Sequence, residues 1–160
     1  MKDPKVDVAS DAGGKTAIIW AIASNYEDVG AQVLSHSKID INKPDGNGKT
    51  PLMYAAESPD IRHLDALLKK GAKLNLQDND GKTALMYAVI KAYVDQVKKL
   101  LEAGADKTLK DNDGGTALDS LRSLSPNLLT SSQKAIIDML EGSPVKRLIE
   151  KFEKQGRAGR

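Results

Sequence analysis

The chain has no cysteine, so disulfides and cysteine-ligated metals are excluded, while the redox compartment stays undecided. Aromatic residues make up only 4% of the 160, a low figure for a globular core of this length. No apolar run approaches the roughly 18 residues needed to span a bilayer. The N-terminus, Met1-Lys-Asp-Pro-Lys-Val6, has no apolar stretch of the kind a secretory signal carries. A soluble protein is expected, with the cytoplasm slightly favoured and the periplasm or exterior left open if a signal peptide has been removed. Charge of one sign is lacking too. The formal net charge is +2 with 29% charged residues, a mixed surface that gives no reason to expect nucleic acid or a membrane as partner.

What the chain does have is repetition. The stretch Asp78-Asn-Asp-Gly-Lys-Thr-Ala-Leu-Met-Tyr-Ala-Val89 has counterparts beginning at Asp11, Asp45 and Asp111. Their threonines, Thr16, Thr50, Thr83 and Thr116, are spaced 34, 33 and 33 residues apart. A fixed period in that range signals a stacked array, in which each layer is closed by small and aliphatic side chains from its neighbours. The scarcity of aromatics then needs no further account.

One unit can be built from its residues. Asp followed by Gly, as in Asp78 and Gly81, is turn chemistry. Thr then caps a helix, and at Thr50-Pro51 the Pro takes the first helical position, where its missing N–H costs nothing. Leu52, Ala55 and Ala56 give that helix a small apolar face. A second helix ends in Leu67-Leu68 or Leu100-Leu101 and stops at Gly71 or Gly104, glycine serving the left-handed position. A short extended return leads to the next turn.

The pattern Asp-x-x-Gly-x-Thr-Pro-Leu-x-x-Ala-Ala, followed by Leu-Leu-x-x-Gly-Ala-x-x-Asn, resembles the ankyrin repeat over residues 7–141. The resemblance implies an all-α ankyrin-repeat solenoid of helix-turn-helix units with short β-hairpin-like turns. The family's usual His after Leu is Ile19, Met53, Met86 and Asp119 in this chain, which puts the hydrogen bonds of that His in question. The pairs Met53-Tyr54 and Met86-Tyr87 are similar to bacterial members.

The organisation read along the chain is an array over 1–142, with repeats at about 11–44, 45–77, 78–110 and 111–142. Residues 1–10 form a partial N-terminal repeat. The first repeat has a less regular second helix (Tyr26 to Leu34). The fourth carries a loop over Ser123–Ser132, then a helix from Gln133 to Leu140. Ser143-Pro144 opens a further helix whose stripe of Val145, Leu148, Ile149 and Phe152 fits a C-terminal cap on repeat four. The alternative there is a partner- or membrane-surface helix, and Gln155–Arg160 forms a frayed tail.

Three tempting motifs fail on spacing. Gly-Lys-Thr at 14–16, 48–50 and 81–83 lacks the earlier glycine of a phosphate-binding loop, since those places hold Ala9, Lys43 and Leu76. Asp-Asn-Asp-Gly at 78 and 111 lacks a calcium loop's later ligands, having Lys82 or Gly115 and Val89 or Arg122. These acids are expected to fix their turns through side-chain to backbone hydrogen bonds. His36 and His63 form no pair at metal or catalytic spacing and are expected to be ordinary surface or helix residues. No catalytic residue, cofactor or metal is expected.

Two rows repeat with the array: Ile19, Met53, Met86 and, one residue on, Trp20, Tyr54, Tyr87. Both are expected to pack between adjacent first helices. The alternative puts part of the aromatic row on the concave face as a binding anchor. The resemblance implies that a partner protein is met by turn tips and by the concave-facing ends of first helices. Those tip positions are Ala12, Gly13 and Lys15; Gly46, Asn47 and Lys49; Asn79, Asp80 and Lys82; Asn112 and Asp113. The helix ends are Ala23 and Ser24, Glu57 and Ser58, Ile90 and Lys91. Lys15, Lys49 and Lys82 make a positive row whose ordinary explanation is a solvated face. A monomeric protein–protein interaction module with an unknown partner is the expected function. The alternatives are a self-assembling structural array and an effector or enzyme with activity in the irregular C-terminal part.

Overall fold

The computed structural model describes residues 13–24, 39–122 and 129–142. The partial repeat at 1–10, the helix expected from Tyr26 to Leu34, most of the Ser123–Ser132 loop and the C-terminal helix and tail fall outside the described residues. The described helices are α1 (Ala17–Ala23), α2 (Pro51–Glu57), α3 (Ile61–Lys69), α4 (Ala84–Ile90), α5 (Val94–Glu102), α6 (Asp119–Arg122) and α7 (Ser131–Glu141). No strand occurs among the described residues; one isolated antiparallel bridge joins Lys110 and Thr116. The fold is all-α.

Each first helix starts at the threonine that its turn chemistry placed there. Thr16, Thr50 and Thr83 are N-caps whose hydroxyls accept from the amides of Ile19, Met53 and Met86, satisfying N–H groups the helix cannot. The residue in the family's His position reaches back to the cap. Met53 Sδ accepts from the Thr50 amide at 3.3 Å, and Asp119 Oδ2 accepts from the Thr116 amide at 2.9 Å and its hydroxyl at 2.7 Å. Local capping has thus replaced the imidazole at those two positions. α7 begins at Ser131, two residues before the expected start, because Thr130 and Gln133 form a reciprocal capping box.

The first helices form one row, α2 packing on α1 and α4, and α4 on α6. The second helices form another, α3 on α5 and α5 on α7. Between the rows lies a core of aliphatic residues and alanines, including Ile18, Leu52, Leu64, Leu67, Leu85, Val97, Leu100 and Ile136. Ala55, Ala56 and Ala88 are completely buried, and their small size lets neighbouring first helices approach closely. α3 and α5 end in matching motifs. Gly71 and Gly104 take φ of +76° and +95°, and the amides of Ala72 and Ala105 reach back to Leu67 and Leu100. α4 ends the same way with Ala92 at φ +57°, a left-handed alanine that costs about 1–2 kcal/mol of strain.

The turns are what join one repeat to the next. The Gly46 amide donates to the Gly13 carbonyl at 2.9 Å, Asn79 to Asn47 at 3.0 Å and Asn112 to Asp80 at 3.0 Å. The tips therefore run together as a hydrogen-bonded ladder. Asn42 and Asn75 add a second tie, each accepting from a backbone amide one repeat on, Lys73 at 2.8 Å and Asp106 at 2.9 Å. Gln77 bridges its own turn and the next return, donating to the carbonyls of Gly81 and Lys110.

The ladder makes Gly81 doubly necessary. Its φ is +77°, and a methyl group there would stand 2.7 Å from the Asn112 amide nitrogen and 3.0 Å from the Asp111 carbonyl carbon. Gly114 has nearly the same φ, +80°, with nothing within 4 Å. Gly81→Ala is expected to lose about 1–3 kcal/mol more than Gly114→Ala in urea denaturation, because only the former forces backbones apart. Equal losses would mean that the tips do not hold adjacent repeats in contact.

Candidate functional site

The first acid of each turn builds the site. Asp45 Oδ1 accepts from the amides of Asn47 and Lys49, both at 2.9 Å. Asp78 does the same for Asp80 and Lys82, at 3.0 and 2.9 Å, and Asp111 for Asp113 and Gly115, at 3.1 and 2.9 Å. The turn-fixing role expected of these acids is what the structure shows. The other oxygen reaches the helix that follows. Tyr54 Oη donates to Asp45 Oδ2 at 2.8 Å, and Tyr87 Oη to Asp78 Oδ2 at 2.5 Å. Burial pushes the Tyr87 phenol well above its ordinary range, and its bond to Asp78 and that carboxylate's charge push it further. It stays protonated and keeps donating.

The rings so oriented enclose the row of lysines. Lys15 Nζ lies 5.2 Å from the Trp20 ring centre and 5.8 Å from that of Tyr54. Lys49 Nζ lies 4.6 Å from Tyr54 and 4.1 Å from Tyr87. Each ammonium thus sits between the ring of its own repeat and the ring of the next, within cation–π range. Lys82 would need a ring at the next equivalent position, which is Ser120. It turns instead to Asp80, at 3.5 Å.

The solvated positive face expected of Lys15, Lys49 and Lys82 is corrected in one respect. The Lys49 side chain is only 15% exposed, because rings flank it and Glu57 pairs with it. Glu57 Oε2 takes the Lys49 ammonium, and Oε1 takes Lys91 at 3.2 Å. Burial pushes the Glu57 carboxyl up, but the hydrogen bonds and charges of Lys49 and then Lys91 outweigh it and hold the group below its ordinary value.

The two rows expected to pack alike do not. Ile19, Met53 and Met86 are buried, whereas Tyr54 and Tyr87 are half-buried and Trp20 is 48% exposed. Successive helical residues are turned about 100° from each other, enough to put one row in the core and the other at its edge. Ile90, three residues past Tyr87 on the same helix face, is also 48% exposed. Among the described residues, Trp20 and Ile90 are the exposed large apolar side chains. At the C-terminal ends of α1 and α2 lies an open hollow of about 410 Å³ lined by Ile22, Ala23, Tyr54, Glu57, Ser58 and Pro59.

Of the expected site residues, Asn47, Asn79, Asp80, Asn112 and Asp113 stand exposed at the tips. The amide groups of Asn79 and Asn112 are partly used in the ladder, donating to Gly46 and Asn79 carbonyls. Lys15 and Lys49 sit against the rings, Glu57 joins Lys49 to Lys91, and Lys82 pairs with Asp80. Ala12 lies outside the described residues. His63, expected as an ordinary surface or helix residue, is 4% exposed with Nδ1 unbonded. It stands where Gln96 stands one repeat later, facing inward from the second helix; Gln96 there donates to the Ser58 carbonyl at 2.8 Å. Among the described residues no cluster of His, Asp or Glu could hold a metal, and no helix is long and apolar enough to cross a membrane.

A family model described as ankyrin repeats (3 copies) matches residues 31–111. The chain belongs to the ankyrin repeat family. No curated protein matches it. The turn that begins at Asp111 repeats the hydrogen bonds of the matched turns before it. Members of the family generally serve as modules for protein–protein interaction.

The Glu57 pairings have a pH consequence. The folded-state pKa lies below the ordinary value of 4.5, so the stability it contributes is present above that value and is lost as pH falls through the folded pKa. The carboxylate is only partly buried and stays open to solvent screening, which limits the contribution to about 0.5–1 kcal/mol. Glu57→Gln is expected to be less stable than wild type by that amount at neutral pH. The gap should close as pH falls below the ordinary glutamate range in urea titrations across pH. A gap independent of pH would remove the ion pairs as its cause.

Proposed function

We propose that this ankyrin array is a recognition module that binds a partner protein across its tips and first helices and carries out no chemistry of its own. The observation that carries this reading is the placement of the exposed apolar side chains. Trp20 in α1 and Ile90 at the C-terminal end of α4 both lie on the first-helix row, and exposed apolar surface rimmed by polar groups marks interaction sites. The Asp–Tyr bonds and the lysine–ring contacts hold this face in one shape before a partner arrives. Little ordering entropy is then lost on binding. The regular stacking extends the same surface over successive repeats.

A photo-crosslinking amino acid placed at Trp20, Asn47 or Asp80, and for comparison at Lys70 or Lys98 on the second-helix side, tests the reading. In lysate of the source cells, discrete adducts with one protein are expected from the first three positions and not from the other two. Adducts formed chiefly at Lys70 and Lys98 would place recognition on the opposite face and overturn the proposal.

A further inference from the structure

The tip-side face has one carboxylate beside its hollow, and that carboxylate is already spent. Glu57 lines the hollow, and its two oxygens accept from Lys49 and Lys91. Both ammoniums share the single acid, so the trio keeps a positive charge. Lys49 is shielded by the rings of Tyr54 and Tyr87. Lys91 is different: its side chain is 43% exposed, and an ammonium has three donors, of which Glu57 engages one. The unspent hydrogen-bonding capacity at the edge of the hollow is therefore donor, not acceptor. The hollow itself is lined by Ile22 and Ala23 from α1 and by Tyr54, Glu57, Ser58 and Pro59 from α2 and the residues after it, a largely apolar setting for an apolar side chain.

The turn acids of the second and third repeats are also engaged. Asp45 and Asp78 spend their oxygens on turn amides and tyrosine hydroxyls, and Asp80 pairs with Lys82. The donors left over at the edge of the hollow are those of Lys91.

Resting on the recognition role proposed above, we propose that the partner presents an acidic segment. An aromatic or aliphatic side chain enters the hollow between α1 and α2, and an Asp or Glu one or two residues away pairs with Lys91. The short spacing follows from Glu57, which both lines the hollow and lies 3.2 Å from the Lys91 ammonium. Electrostatic matching of this kind selects partners and orients them as they approach.

Selection of a displayed random peptide library on the full chain tests this. Trp20 is the single tryptophan and reports binding at this face through its fluorescence. The selected peptides are expected to carry Asp or Glu within two residues of Phe, Leu, Ile or Met and to bind more weakly as salt rises. Lys91→Ala, at an exposed position, should weaken them roughly fivefold, the effect of an exposed ion pair at the strong end of its range. Ala23→Phe, which fills the hollow from an exposed site, should abolish binding while circular dichroism shows the fold intact. Peptides dominated by Lys or Arg, or indifferent to Lys91→Ala, would overturn the acidic assignment; if Ala23→Phe still blocked them, the recognition face itself would stand. Peptides unaffected by Ala23→Phe and silent in Trp20 fluorescence would overturn both.

Discussion

One carboxylate per repeat organises this molecule. Among the described turns, Asp45, Asp78 and Asp111 each accept two backbone amides with one oxygen. In the second and third repeats the acid accepts a tyrosine hydroxyl with the other. Hydrogen bonds to an ionised acceptor are stronger than neutral ones, so a turn that glycine would otherwise leave loose is held in one shape. That shape presents the tip amide of one repeat to the carbonyl of the repeat before, at about the same distance each time. It also fixes the ring that flanks the lysine. The stacking of the array and the form of its candidate binding face have one origin.

The same dependence explains why the fourth repeat departs from the others. Its Asp111 still holds the turn, but Ser120 stands in place of the tyrosine and Gly115 in place of the lysine. The ring and lysine pattern ends there, and Lys82 swings to Asp80. Asp119 is drawn into capping by Thr116, whose side-chain and backbone hydrogen bonds hold that carboxyl below its ordinary value. The turn ladder reaches into the fourth repeat, whereas the ring row stops at the third.

Much of this was legible in the sequence because it is local. The Asp-to-Gly turns, the threonine caps and the glycine stops at Gly71 and Gly104 each depend on residues within a few positions, where chemistry decides conformation directly. The period placed the candidate tip residues on one side of the array. Contacts that cross between repeats were harder to read. Lys49 looked solvated because Tyr87 lies 38 residues away and only the stacking brings it near, while Glu57 is reached across the length of the helix that follows. The constant five-residue interval from Lys15, Lys49 and Lys82 to Trp20, Tyr54 and Tyr87 was the signal that could have shown it. His63 is the helix residue expected, but its burial is not legible in its neighbours along the chain.

The account rests on the turn carboxylate, and hydrogen exchange of individual amides tests it most directly. In Asp78→Ala, the account predicts that protection falls at Asp80 and Lys82, which the carboxylate holds, and at Asn112, which the Asp80 carbonyl holds, while amides within α3 and α5 keep theirs. Unchanged protection at Asn112, or an equal loss throughout the array, would contradict it. The first result would show that the turn keeps its shape without the acid, and the second that Asp78 contributes only to overall stability.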